Sequence, residues 1–443
     1  MHSTLTFPLF HFFHFFHFFH FFHFSTLPTT RFVMTPVGSS GDVHPYIGIG
    51  RALRARGHDV VIVTAGAFRD VCERAGLGFH ETISAQIFDV MSKHPDLWNS
   101  TKGLKFVLGT VAQHLRLGYE RVAEVYEPRR TVLVGHALSF GTRLFEEKHG
   151  VPSATLHLAP SIFRSDFQQP AFAPGRELSR APRWFKRMFW WGVDRFLTDP
   201  LIVPKLNAVR QELELPPVSR VFRQWVHSPQ RVIALFPDWF GPPQPDWPPA
   251  LRMAGFPQYD ESDQQQLEPG LLRFLDAGDA PIVFTPGSAN QDAAAFFRAA
   301  VDASARLNRR ALLLTRFTDH LPTLPVTVHH EGYAPLSRLL PRCAALVHHG
   351  GIGTLAQALA AGVPQLTMPM GFDQPDNTTR LLRLGVARWV APSKFTGERV
   401  APLLDSLLRD PTVADACAKY AALLNSGSAL QRTCDLLEEL RAG

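Results

Sequence analysis

Two series of short apolar segments, each segment followed by a stretch of helical length, fill most of this chain and restrict it to a parallel α/β architecture. The first begins at "RFVMTPV" (31–37), passes through a glycine loop into the helix-like "YIGIGRALRARGH", and continues with "DVVIVTA" and the helix-like "FRDVCERAG". This βαβα order calls for a parallel sheet, because joining parallel strands takes a crossover of helical length. "TVLVGHA", the helical "GTRLFEEKHG" and "VPSATLHLAP" extend it. A second βα series carries "APIVFTPGS", "RRALLLTR", "VTVHHEGY", "CAALVHHGG" and "PQLTMPMG" as strands. Between the two, "FPQYDESDQQQLEPG" (256–270) is polar, turn-rich and poor in large apolar residues, as a linker is. With 443 residues, 45% of them apolar, the chain has material for two cores. The expected organisation is a domain at 31–257, a linker at 258–270, a domain at 271–425, and a terminal helix at 426–443 that crosses back to the first domain. Open parallel sheets bind ligands beyond the carboxyl ends of their strands, so two such domains form a cleft that collects loops from both.

Some features stand outside this pattern. "LFHFFHFFHFFHFFHF" places histidines at 11, 14, 17, 20 and 23. It lacks the basic start and small-residue cleavage site of a signal peptide, and five imidazoles are costly in a bilayer. Residues 1–30 are read as a low-complexity extension outside the fold, or as a misassigned start. "SRAPRWFKRMFWWGVDRFL" sets Phe185, Met188, Phe189 and Phe196 at helical spacing beside Arg183, Lys186 and Arg187. That pattern fits a helix packed on its own domain, or a basic amphipathic helix lying on an anionic interface, so residues 176–197 are the candidate for peripheral membrane contact. Four cysteines (Cys72, Cys343, Cys417, Cys434) without paired spacing give neither a disulfide framework nor a zinc site, and point to a reducing compartment, the cytoplasm. The formal charge of +6 favours anionic partners without choosing among nucleic acid, phosphorylated metabolites and membranes.

Chemistry concentrates in "LVHHGGIGTLAQALAAGVPQLTMPMGFDQPDN" (346–377). A strand, a glycine turn, a helix stopped by Gly362 and Pro364, and a second strand succeed one another here. Gly350, Gly351 and Gly353 strip side chains from the turn, so backbone N–H groups and the positive helix end can approach an anion. The turn predicts phosphate. Gly351, Gly353 and Ala356 also satisfy a dinucleotide fingerprint, with Asp373 about twenty residues on. A nicotinamide or flavin enzyme is thus one reading, although that fingerprint normally opens its domain and here sits late, leaving His348, His349 and Gln374 without a role.

Together with "GSSGDVHPYIGIGRALRARGHDV" near the start, the same stretch resembles the nucleotide-sugar-dependent glycosyltransferases of the GT-B fold, the family of plant, antibiotic and sterol glycosyltransferases. "VFRQWVHSPQRVIALFPDWFGPPQPDWPPALRMAGFP" is similar to the bacterial rhamnosyltransferase B chains, which glycosylate a hydroxyalkanoyl lipid. The resemblance implies two Rossmann-like domains facing each other across a cleft, the acceptor held by the first and the nucleotide sugar by the second. It implies that His348, Ser288 and Thr354 contact the donor diphosphate, that Tyr333 stacks on the base, and that Asp373 and Gln374 grip sugar hydroxyls. A residue that is glutamine in plant members is Leu336 here. Asp42 stands at the position of the acceptor-activating base. His136 falls where members with a histidine base carry a supporting aspartate, so a reversed dyad is the alternative to Asp42 acting directly. His349 is read as structural and His44 as cleft-lining.

The activity this resemblance implies is an inverting hexosyl transfer, of L-rhamnose or glucose, from a dTDP- or UDP-linked donor to a hydroxyl of a lipophilic acceptor. No metal and no cofactor are expected, since no DxD motif occurs; no nucleic-acid partner is expected either. The enzyme would be cytoplasmic, or peripheral on the inner face of the membrane. Alternatives are a sterol or other secondary-metabolite glucosyltransferase, and a non-catalytic nucleotide-binding partner protein.

Overall fold

A computed structural model describes residues 29–97, 102–176, 181–262, 265–287 and 293–441. Two wholly parallel sheets form its framework. The first holds β1 (Arg31–Thr35), β2 (Asp59–Thr64), β3 (Gly78–Glu81), β4 (Thr131–His136), β5 (Ser153–His157), β6 (Val232–Ala234) and β7 (Leu251–Met253) in the order β3-β2-β1-β4-β5-β6-β7. The second holds β8 (Ile282–Thr285), β9 (Ala311–Leu314), β10 (Val328–Glu331), β11 (Ala345–His348), β12 (Gln365–Thr367) and β13 (Ala387–Trp389) in the order β10-β9-β8-β11-β12-β13. Strand order reverses between β1 and β4 in one sheet and between β8 and β11 in the other. At such switch points, loops leave in opposite directions and open a crevice beyond the strand ends.

Apolar strand residues face helices on both sides. Phe32, Met34 and Ile62 are buried in the first half, and Ile282, Leu313 and Val347 in the second. Five helices matter for the site: α1 (Ser40–Ala55), α2 (Arg183–Val193), α3 (Ile352–Ala360), α4 (Gln374–Leu384) and α5 (Ala429–Glu438). The sequence starts the first helix at Tyr46, whereas α1 begins at Ser40, inside the glycine stretch. Asp42 explains the difference, because its carboxylate folds back to accept from the Ser39 N–H and supplies the cap that the glycines cannot. Helix α5 lies against α1: Arg56 pairs with Asp435 and Glu438, and His58 meets Glu438 at 2.8 Å. Helix α5 thus packs on the first half although it follows the second in sequence.

Contacts between the halves cluster on α4. Asp376 accepts from the Ala171 N–H at 2.9 Å, Thr379 accepts from the Gly175 N–H at 3.1 Å, and Arg380 donates to the Phe240 carbonyl at 2.8 Å. Asp376 and Arg380 are themselves ion-paired at 2.8 Å, each side chain about 5% exposed. A buried pair of this kind is costly to break, since either partner alone becomes an uncompensated charge.

Candidate active site

Both switch points open onto one cleft, and the starts of two helices meet there. Helix α1 follows β1 and helix α3 follows β11. A Cβ on Gly353 would lie 3.6 Å from the Gly41 Cα, so the two N-termini pack closely against each other. Their partial positive ends therefore bear on one small volume.

Asp42 sits in the first turn of α1. Its Oδ2 accepts from the Ser39 N–H at 2.7 Å and from the Ser39 hydroxyl at 3.2 Å. The fold keeps room for this: Gly38 has φ of +137°, and a Cβ there would fall 2.2 Å from Oδ2. Burial raises the Asp42 carboxyl to about 6, against the lowering effect of the two Ser39 bonds. A carboxylate in that range is a far better base for an alcohol than one at its ordinary value.

His136 closes β4 on the other side of the same switch point. Its Nδ1 accepts from the Leu138 N–H at 3.2 Å, and burial pushes the ring down to about 4, so it is neutral with its proton on Nε2. Among the described residues no hydrogen bond joins His136 to Asp42. Tyr46 is packed edge-on against the His136 ring, and its hydroxyl donates to the Gly135 carbonyl.

Across the cleft, the vicinal histidines differ in their hydrogen bonding. His348 is fully buried; its Nδ1 accepts from the Gly350 N–H at 3.1 Å, which leaves Nε2–H to donate to Gln365 Oε1 at 3.0 Å. Both ring nitrogens are occupied, and burial lowers the group to about 3. It is a neutral brace for the turn. His349 instead lies between two glycines: a Cβ on Gly351 would sit 2.3 Å from its Nε2, and one on Gly287 would sit 2.8 Å from its Nδ1. That buried Nδ1 has no partner among the described residues. At this turn, then, His348 has both ring nitrogens engaged, while His349 keeps one without a partner among the described residues. His348 closes β11 and His349 follows it, and both faces of this sheet are buried, so apolar pattern gives no sign of which ring keeps a free nitrogen.

Gly350 takes φ of +88°, and Gly351 is the N-cap of α3 with no side-chain cap. No acidic residue lies in the first turn, and Thr354 stands on that turn partly exposed. Beyond β12, Asp373 is the N-cap of α4. Burial raises it to about 7, helped by the charge of Asp42 and opposed by the Asn377 amide. The two carboxylates thus sense each other across the cleft. Gln374 departs from its expected part in one respect, because its Oε1 is taken by the Met370 and Gly371 N–H groups at 2.8 and 3.3 Å. Only its amide N–H remains to meet a sugar. Asn377 is a site residue that the sequence pattern does not mark, yet its Nδ2 bridges the Gly350 carbonyl at 3.1 Å and Asp373 Oδ2 at 2.7 Å. Its spacing of four from Asp373 on a helix start is the available signal.

Tyr333 lies at the other end of the turn region. Its hydroxyl donates to the Asp260 carbonyl at 2.7 Å, and Arg316 lies 6.0 Å from its ring centre. His44 packs edge-on against Tyr259 in the connecting segment rather than beside Asp42. Ser288 lies outside the described residues, as do residues 1–28. Among the described residues no cluster of three histidine, cysteine or acidic side chains is arranged to hold a metal ion.

Comparison with known proteins decides what this cleft belongs to. Residues 32–165 match the glycosyltransferase family 28 N-terminal domain, and residues 300–439 match the erythromycin biosynthesis protein CIII-like C-terminal domain. The chain is a GT-B glycosyltransferase. It is 28% identical over 433 residues to the O-mycaminosyltylonolide 6-deoxyallosyltransferase of Streptomyces fradiae, an alignment that covers 92% of this chain and 97% of that one. It is 26% identical over 427 residues to a sterol 3-beta-glucosyltransferase of Candida albicans, covering 89% of this chain but only 27% of that protein. The crystal structure of the kitacinnamycin glycosyltransferase superposes with a TM-score of 0.71 at 20% identity, over 93% of this chain and 99% of that one. In this glycosyltransferase the two sheets are the two Rossmann-like domains of the fold, and the meeting helix starts lie between them.

Proposed function

We propose that this glycosyltransferase moves a hexose from a nucleoside diphosphate to a hydroxyl of a lipophilic acceptor, with inversion at the anomeric carbon. One observation carries the reading: a carboxylate raised toward neutrality on α1 faces an uncapped, glycine-lined helix start on α3 across the interdomain cleft. The acceptor oxygen attacks the anomeric carbon and the bond to the diphosphate breaks. The acceptor proton passes to Asp42, and the electron pair leaves with the diphosphate. His349, Thr354 and the α3 N–H groups receive that developing charge as donors already fixed in place. Asp373 and the Gln374 amide orient the sugar. Ser288 and Tyr333 are assigned to the diphosphate and the base by resemblance.

The names of the relatives support the substrate classes. A 6-deoxyallosyltransferase and a sterol glucosyltransferase agree with a hexose donor and with a bulky apolar alcohol as acceptor, and the donor we propose is L-rhamnose or glucose carried by dTDP or UDP. A hydroxyalkanoyl lipid and a sterol are both acceptors of that kind. Among the described residues no helix is long and apolar enough to cross a membrane, and the four cysteines are unpaired. A cytoplasmic enzyme that requires no metal fits this reading. The test is a panel of nucleotide sugars and hydroxy lipids, sterols and polyketides read by mass spectrometry, where the added mass names the sugar. Product formed with every alcohol withheld, or none with any nucleotide sugar, would sink the proposal. Activity lost in a chelator and restored by a divalent ion would remove its metal-independent part.

A further inference from the structure

Helix α2 has two unlike faces. One is locked into the fold: Lys186 is buried and donates to the Phe167 carbonyl at 2.7 Å, and Trp190 is buried and donates from Nε1 to the Ser165 carbonyl at 3.1 Å. Phe185 and Phe189 are only partly covered, so the apolar spacing read from the sequence does not mark the buried stripe. The outer face carries Trp184, Met188 and Trp191 at 66, 52 and 56% exposure, spaced i, i+4, i+7, and Phe196 follows in the next turn at 70%. Such a run of large exposed apolar groups is unusual on a lone soluble surface and marks an interaction site.

The charges around it choose the partner. Arg183, Arg187 and Arg195 are exposed beside these rings, Arg187 reaching inward to pair with Asp166 at 3.0 Å. The one acid between residues 181 and 198 is Asp194, which is buried and paired with Arg164 at 3.5 Å. A second copy of this chain docking through the same face would set arginines against arginines. An anionic bilayer instead offers phosphates to the guanidinium groups and an interfacial zone to the tryptophans. We infer that the outer face of α2 docks this glycosyltransferase on anionic lipid. The loop beneath α2 continues to Ala171 and Gly175, which bond to Asp376 and Thr379 on the helix that begins at Asp373. Docking therefore places the bilayer against the back of the loop that reaches the cleft. This surface acts in the same way whatever the acceptor proves to be.

Full-length protein is sedimented with vesicles of phosphatidylglycerol mixed into phosphatidylcholine and with phosphatidylcholine alone. Binding is expected to the mixed vesicles, weakening as salt rises. A Trp184→Ser/Trp191→Ser/Phe196→Ser variant is expected to lose about tenfold or more in binding, since affinity follows buried apolar area. Arg195→Glu, a single exposed change, is expected to lose roughly 30-fold at low salt and much less at high salt. Both variants should keep the wild-type melting temperature and turnover on a water-soluble alcohol. Equal binding to both vesicle types, or variants that sediment with lipid as wild type does, would overturn the inference. So would self-association of the wild type that the triple variant abolishes, which would give the face to a second copy.

Discussion

The two helix starts that meet in the cleft are built in opposite ways. Helix α1 carries its own acid: Asp42 bends back onto Ser39 and occupies the end of its helix. Helix α3 has a glycine N-cap, no acid in its first turn and, beside it, a histidine nitrogen without a partner among the described residues. Each end alone would attract an anion. Filling one with a carboxylate and leaving the other open suits them to the different tasks we propose, proton acceptance at α1 and phosphate binding at α3. Burial raises the Asp42 carboxyl, its two Ser39 bonds offsetting only part of that, and the charge of Asp42 in turn helps to raise Asp373.

The strongest way to break this contrast is to remove the charge at α1. Asp42→Asn keeps an oxygen for the Ser39 N–H but cannot take a proton, and kcat is expected to fall on the order of 10²–10⁴-fold with donor affinity little changed. Steady-state rates and donor titration check both halves. In the wild type, kcat/KM should rise with pH through about 6, where Asp42 loses its proton. The dyad alternative is addressed by His136→Ala: near-full turnover ends it, because a ring that received the proton could not be dispensed with.

The α3 side is sharpened by a pair of neighbouring substitutions. His349→Ala is expected to lower kcat/KM roughly 10–100-fold, the worth of one hydrogen bond to a charged group, with stability near wild type. His348→Leu is expected to do the reverse. It strands the Gly350 N–H and Gln365 Oε1, costing about 1–3 kcal/mol of stability in denaturant unfolding, while the folded fraction still binds donor. If His348→Leu abolished donor binding in folded protein and His349→Ala did not, His348 rather than His349 would serve the diphosphate.

Asp373 tests whether the cleft stores unfavourable charge. Its folded value of about 7 lies above the ordinary carboxyl value, so the folded state binds the proton more tightly than the unfolded chain does. Stability from this group is therefore full below the unfolded value near 3.8 and is lost as pH rises through about 7. Asp373→Asn removes that loss. Its melting temperature should exceed wild type at pH 8, by on the order of 1–3 kcal/mol of stability, and converge with wild type at acid pH. Sugar transfer should suffer at the same time, the exchange of stability for function that buried acids in active sites often show.

Much of this is legible in the sequence, and what escapes has physical causes. Long strands such as β1, β2 and β4 announce themselves by five or six residues, mostly apolar or β-branched, whereas β6, β7 and β13 have three residues each, too few to show a period. Glycines at 350, 351 and 353 foretell an anion-binding turn because only bare backbone can serve there. Which histidine faces that turn is not legible, since a strand covered on both sides buries both of its faces. Asn377 and the Asp376–Arg380 clamp are hidden for another reason: their partners are distant in the chain, Gly350 being brought to Asn377 by the fold of the second half, and Ala171 and Phe240 to the clamp by the packing of the halves.

The smallest expected effect lies at Thr354. Its hydroxyl stands on the first turn of α3 with no hydrogen bond among the described residues, next to backbone N–H groups already directed at the same volume. Thr354→Val keeps the shape and removes one neutral donor. Because the open helix end and His349 supply the main attraction, donor KM should rise only about 2–10-fold, with kcat and melting temperature unchanged. A loss as large as that of His349→Ala would mean that the hydroxyl, not the helix end, carries the phosphate. The difference between α1 and α3 would then rest on one side chain rather than on how the two helices begin.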